Sequence, residues 1–431
     1  MRASFGIGLI LLIIAFCASP QFRHIYALPS QMSIIEGEQA LFKVDYPLTV
    51  TVSSLENSID LSKNDIYSKP VFWETVKDGH ATVDYKLLGL IPLKQVEVDV
   101  LPPLKIMAGG QSIGVILHSD GVLIVGSSSV NVNGKETNPA EEAGIKTGDI
   151  ILSMNGYVIK KDIDVAEIVD LCGRENKEIQ ILLRRNKEEF TVKMRPVLCK
   201  ETNRYRIGLF VRDSAIGVGT LTFIDPQTLN YGALGHVITD GDTNQEIVCR
   251  DGKIVPATVS EIHYGKAGQP GEKVGSFLEE KEPLGNIEKN TCFGIFGKIN
   301  EAAKAKIYTE PIEIASMNQI EEGKAEILTV VDGQTIDKFL ITIEKVHMQE
   351  YPESKGMVIK VVDERLLAKT GGIIQGMSGS PIIQNGKLVG AVTHVFVHDP
   401  TKGYGCFMDW MLMESGLIPK KSASIIPRLF G

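Results

Sequence analysis

A serine stands between two glycines in Gly376-Met377-Ser378-Gly379, and Ser380-Pro381 follows. A nucleophilic serine needs a backbone that lifts its hydroxyl into the open. It also needs free N–H groups beside it to hold the oxyanion of an acyl-transfer intermediate. Glycines on either side permit both, and the N–H groups of Gly376 and Ser378 are the natural donors. The hydroxyl is a weak nucleophile without a base. His236, in Ala233-Leu234-Gly235-His236-Val237-Ile238-Thr239-Asp240, ends an apolar run whose small neighbours leave its ring reachable. Such a pair suits attack on a peptide carbonyl, the imidazole taking the serine proton. A carboxylate should orient the ring. Asp240, Asp242, Asp332, Asp337 and Asp363 are the candidates, and spacing does not choose among them; Asp240 and Asp332 also suit turns.

The elements that must position these groups are short. After residue 200, glycine-bounded apolar runs recur at 217–225, 231–240, 272–277, 291–297, 325–331 and 385–397, a pattern of many short strands and hence of barrels. The Gly-x-Ser-Gly-x-Pro loop resembles that of chymotrypsin-like serine proteases, which place the histidine on a first β-barrel and the serine on a second. That resemblance implies a double β-barrel over residues 200–431. It also puts His394, in Ala391-Val392-Thr393-His394, on the strand lining the primary specificity pocket, facing either a substrate side chain or solvent.

Upstream, residues 81–86 and 94–100 alternate at period two, as half-buried strands do, and Pro102-Pro103 closes a small β-rich segment over 76–103. Residues 104–198 contain Gly109-Gly110-Gln111-Ser112-Ile113-Gly114-Val115 and then Ala143-Gly144-Ile145-Lys146-Thr147-Gly148-Asp149-Ile150-Ile151-Leu152-Ser153-Met154-Asn155-Gly156. Val165, Ile168 and Leu171 have helical spacing. This segment resembles a PDZ domain, a small α+β unit. The resemblance implies that Ser112, Ile113, Gly114 and Val115 offer amides to the carboxylate of a peptide or protein tail added as a strand.

At the N-terminus, Arg2 precedes an uncharged apolar run from Phe5 to Cys17. Residues 1–20 therefore read as a signal peptide or a helical membrane anchor, and the polar stretch 21–75 as an exposed linker. Net charge is −8, and no basic block is present, which argues against a nucleic-acid partner. The six cysteines, Cys17, Cys172, Cys199, Cys249, Cys292 and Cys406, form no metal-binding or disulfide pattern, so buried free thiols are expected and neither metal nor cofactor is implied.

Longer strings make a closer resemblance. Leu88–Lys94, Gly109–Val115, Gly219–Asp225, Gly232–Asp240, Val330–Gln334, Gly372–Gly386 and Gly390–Val397 are similar, in order, to the stage IV sporulation protein B family. That family implies a serine endopeptidase of endospore formation, exported from the forespore to the intermembrane space, anchored at first and released after cleavage. It implies self-cleavage in trans, then cleavage of a membrane-bound regulator of an intramembrane metalloprotease, triggering sigma factor activation in the mother cell. It implies a triad of His236, Asp363 and Ser378. Two other readings compete. A housekeeping PDZ protease of envelope quality control carries its PDZ after the protease domain, whereas here it precedes it. A catalytically silent PDZ adaptor has no need of both His236 and Ser378. Self-cleavage sites are expected within 21–75, where the chain is polar.

Overall fold

The period-two pattern upstream builds a real pair. In the computed structural model, Gly79–Leu87 and Ile91–Leu101 run antiparallel with Val83 opposite Val96. Ala81, Val83 and Tyr85 are buried with Val96, Val98 and Val100. The structure describes residues 79–418 except 278–281 and 350, and before them Ser19, Phe22 and the segments 30–36, 39–42, 47–54, 59–60 and 71–75. The leader expected at 1–20 thus lies, Ser19 apart, outside the described residues. No helix among the described residues is long and apolar enough to cross a membrane. The linker expected over 21–75 is in part sheet. Gln31–Ile35 adds parallel to Ile91–Leu101, and Leu48–Ser54 adds antiparallel to Gly79–Leu87.

Six strands close a barrel in the C-terminal half: Gly323–Val330, Ile336–Val346, Met357–Val361, Asp399–Phe407, Lys387–Phe396 and Pro381–Gln384. Alternate residues point inward, so Ile327, Ile341, Ile359, Ile382 and Ala391 fill one core. The other barrel sheet is built around two sixteen-residue strands, Ser112–Ser127 and Leu209–Ile224, antiparallel along nearly their whole length. Its core gathers Ile113, Val115, Leu117, Leu221, Tyr231 and Ile254.

These long strands correct two sequence-based expectations. Ser112, Ile113, Gly114 and Val115 are not a peptide-binding loop. They pair with Val218–Thr220 and Gly217 on one side, and Ile113 to Val115 pair with Ile254–Pro256 on the other. Ser112 and Ile113 are buried, and the ring of Phe277 lies against Gly114. A carboxylate-binding loop needs unpaired amides and open space, and this stretch has neither. The peptidase fold accordingly begins near Lys105, whose strand Lys105–Ala108 pairs with Leu209–Ile224, and not at residue 200.

The PDZ unit is the far end of the same strands. Past the irregular pairing around Asp120 and Asp213, Val122 and Leu123 join Ile150 and Ile151, followed outward by Ile179–Arg185 and Glu188–Met194. Its core comprises Val122, Ile124, Ile151, Ile181, Val165 and Val169. The helix expected from the spacing of Val165, Ile168 and Leu171 spans Asp162–Arg174 and turns Val165, Val169 and Cys172 inward, leaving Leu171 mostly exposed. The Gly-Asp-Ile signature is structural: buried Asp149 accepts from the amide of Lys146 and from both Nε and Nη2 of Arg185, at 2.6 and 2.7 Å. Asn155 and Gly156 both take positive φ, the geometry a tight hairpin demands. The five described cysteines are free; Cys172, Cys199 and Cys406 are buried, whereas Cys292 is exposed.

Candidate active site

Ser378 lies between the helix Glu364–Thr370 and the strand Pro381–Gln384, on a loop stitched to both barrels. From its own barrel, Val392 O accepts from the amide of Gly379. From the other barrel come two buried threonines of the Leu209–Ile224 strand. Thr220 donates its hydroxyl to Gly376 O at 2.8 Å and its amide to Ser378 O at 3.0 Å; the hydroxyl of Thr222 donates to Gly379 O at 2.8 Å. The hairpin of Thr258–His263 and Glu272–Ser276 adds a third seam, with Gln375 donating to Gly271 O and accepting from the amide of Lys273.

Gly379 has φ +91°, and a Cβ there would collide with Thr220 O and Leu234 N, both backbone atoms that cannot swing aside. Gly379→Ala should therefore lower stability by more than about 2 kcal/mol, readable as a drop in melting temperature. An unchanged midpoint would mean the two barrels do not meet here as described.

His236 reaches the same place from the first barrel. Leu234 and Gly235 both take positive φ and turn the chain after the strand Asn230–Leu234. Gly235 then packs on Thr393 and Val392 of the second barrel. The Nδ1 of His236 lies 2.8 Å from Val237 O. A carbonyl only accepts, so Nδ1 carries the hydrogen and Nε2 is left as the proton acceptor. Burial lowers the pKa of His236, against the opposing effect of that carbonyl, which keeps the ring neutral at pH 7. His394 stands beside it, ring centroids 5.1 Å apart, its own pKa lowered by desolvation first and then by His236 and Lys355.

The two candidates share one cleft of about 1180 Å³, bordered by Gly376, Thr393, the edge of the strand at 211–218, and Asp162 of the PDZ helix. The hydroxyl of Ser378 donates to Thr393 O at 2.8 Å rather than to His236. Gly376 N and Ser378 N take no part in the described hydrogen bonds, in contrast to their neighbours Gln375, Met377 and Gly379. They are the two amides an oxyanion would require.

The carboxylate is where expectation and structure part. Asp363 caps the helix Glu364–Thr370, accepting from the amides of Arg365 and Leu340 and from the Arg365 guanidinium at 2.9 and 3.1 Å. These bonds, that of the Arg365 side chain foremost, hold its pKa down to about 2. It does not border the cleft and makes no bond to His236, so the triad implied by resemblance is not assembled here. Nor does another aspartate among the described residues replace it. Asp240 is buried in its own turn, bonded to Thr243 and to Arg212 at 2.6 Å; Asp242 also pairs with Arg212, and Asp332 with Lys369. The carbonyl of Val237 orients the ring instead. The threonine braces were missed in the sequence, although Thr220 and Thr222 alternate in Gly219-Thr220-Leu221-Thr222-Phe223 and so share a face.

Residues 203–412 match the family described as SpoIVB peptidase S55, and residues 133–185 match the PDZ domain family. Among solved structures, the chain resembles the PDZ domain of the SdrC-like protein from Listeria monocytogenes, at 17% identity over 21% of this chain and 87% of that one, with a TM-score of 0.17. It also resembles the Rv3671c protease from M. tuberculosis in its active form, at 14% identity over 47% of this chain and 75% of that one, with a TM-score of 0.27. An inactive form of the Rv3671c protease aligns at 13% identity over 46% of this chain and 84% of that one, again with a TM-score of 0.27. No curated protein matches. Residues 203–412 thus match the SpoIVB S55 peptidase family, strands from Lys105 onward complete the same fold, and the chain is a SpoIVB-like serine peptidase that carries a PDZ domain.

Proposed function

We propose that this peptidase acts in endospore formation as an exported endopeptidase, which cleaves itself and then a membrane-bound regulator to trigger sigma factor activation in the mother cell. The observation that carries the chemistry is the cleft shared by Ser378 and His236, with two unengaged amides in the serine loop. Family membership supports the biological role, and the apolar run from Phe5 to Cys17 supports export and initial anchoring in the intermembrane space. The PDZ unit would select protein tails, including those of a second copy of the chain.

In this reading the Ser378 hydroxyl turns from Thr393 O toward Nε2 of His236, which accepts its proton as Oγ attacks the scissile carbonyl. The oxyanion is held by the amides of Gly376 and Ser378, each contributing about 3 kcal/mol of barrier lowering. His236 then protonates the leaving amine, and water repeats the sequence on the acyl-enzyme.

The full-length protein and its Ser378→Ala form, expressed alone and followed by intact mass, test the proposal. The parent should shorten within residues 21–75 while Ser378→Ala stays whole. Equal shortening of both would assign the cuts to the host and favour an adaptor.

A further inference from the structure

Beneath the serine loop lies a buried lysine. Lys273, on the strand Glu272–Ser276, is 4% exposed. Its amino group donates to the hydroxyl of Thr329 at 2.8 Å and approaches that of Thr220 at 3.5 Å. No carboxylate among the described residues pairs with it, and its amino group finds only the two threonine hydroxyls. Burying an unpaired ammonium is costly, and a lysine serving only as filler would be replaced to advantage by an apolar chain.

Its position suggests what offsets that cost. The stem passes directly under Gly376: a Cβ on that glycine would sit 3.1 to 3.2 Å from Cβ, Cγ and Cδ of the lysine. Thr220 hands its own proton to Gly376 O, so its oxygen is available to receive one from the lysine. The lysine amide also accepts the register of the loop by donating to Gln375 O. Stem, amide and amino group thus all bear on the peptide groups that set the direction of the Gly376 and Ser378 amides.

We propose that Lys273 is a positioning residue of the active site, fixing the serine loop through Gly376 and Thr220 so that its two free amides face the reacting carbonyl. The inference rests on the assignment of Ser378 as nucleophile. Burial pushes the Lys273 pKa down to about 7, which supplies a readout independent of catalysis. The unfolded lysine holds its proton up to its usual value near 10.5, while the folded one releases it near 7. Across that window the unfolded chain binds the extra proton, so stability rises with pH.

The experiment uses the full chain, Lys273→Met and Thr220→Val, with a fluorophosphonate probe that labels Ser378. Lys273→Met should be at least as stable as the parent at pH 7, and this advantage should shrink toward pH 10. Both variants should label about tenfold to a hundredfold more slowly, the loss falling on the inactivation step rather than on probe binding. Parent-like inactivation in Thr220→Val, or in folded Lys273→Met, would overturn the proposal; should Lys273→Met fail to fold, Thr220→Val decides alone. A parent that does not label at Ser378 would instead remove the nucleophile assignment, and the proposal with it.

Discussion

His236→Ala should slow fluorophosphonate labelling of Ser378 by at least about a thousandfold, with little change in melting temperature. The expectation follows from the tautomer. With Nδ1–H tied to Val237 O, Nε2 is the basic nitrogen, and the burial that lowers the pKa of His236 keeps that nitrogen unprotonated at neutral pH. The base form is the active one, so labelling of the parent should be flat near pH 7. It should fall only as pH drops below the ordinary histidine value of 6.5, the limb being displaced to the acid side. His394→Ala should retain most of the labelling, because the neighbouring ring borders the cleft without bonding to the serine. Parent-like labelling of His236→Ala together with loss in His394→Ala would move the base to His394.

Asp363→Ala should weaken the fold rather than the chemistry. The carboxylate is buried and satisfies the amides of Leu340 and Arg365 together with the Arg365 guanidinium. Truncation strands two amides and a helix cap, a loss of about 1–3 kcal/mol readable by chemical denaturation. Its folded pKa near 2 lies below the ordinary aspartate value of 3.8, so the stabilisation is complete above the unfolded value and disappears as pH falls through the folded one. The folded fraction of Asp363→Ala should label within a few-fold of the parent. A thousandfold loss in a well-folded variant would show that the working enzyme brings Asp363 to His236, against the arrangement described here.

What could be read in the sequence follows the reach of each interaction. Alternation at 81–86 and 94–100 is set by local burial and yields the strand pair directly. Gly-Met-Ser-Gly and Leu-Gly-His announce themselves because a raised hydroxyl and a turned imidazole need small neighbours at fixed offsets. The misreading of Ser112–Val115 has a clear cause. A glycine-flanked apolar run looks alike whether its amides are free or bonded to strands on both sides, and only residues more than a hundred positions away, Val218 and Ile254, decide. Asp363 shows the same limit: an aspartate before a helix is a cap by local rules, and nothing local reports its distance from a histidine. Lys273 is least legible, since its burial depends on a hairpin closing over a loop a hundred residues downstream.

The two sixteen-residue strands also change what counts as a part of this enzyme. Ser112–Ser119 and Ser214–Ile224 are the two arms of a β-hairpin in the first barrel, and residues 120–213 stand where its turn would be. The PDZ unit is thus a domain-sized hairpin tip. Splicing Ser119 to Ser214 should leave a peptidase without it, whereas cutting at residue 200 discards one arm of the sheet. The arm that returns from the tip is also the one whose edge borders the cleft and whose threonines hold the serine loop, so the tip and the brace of the nucleophile lie on one continuous ribbon.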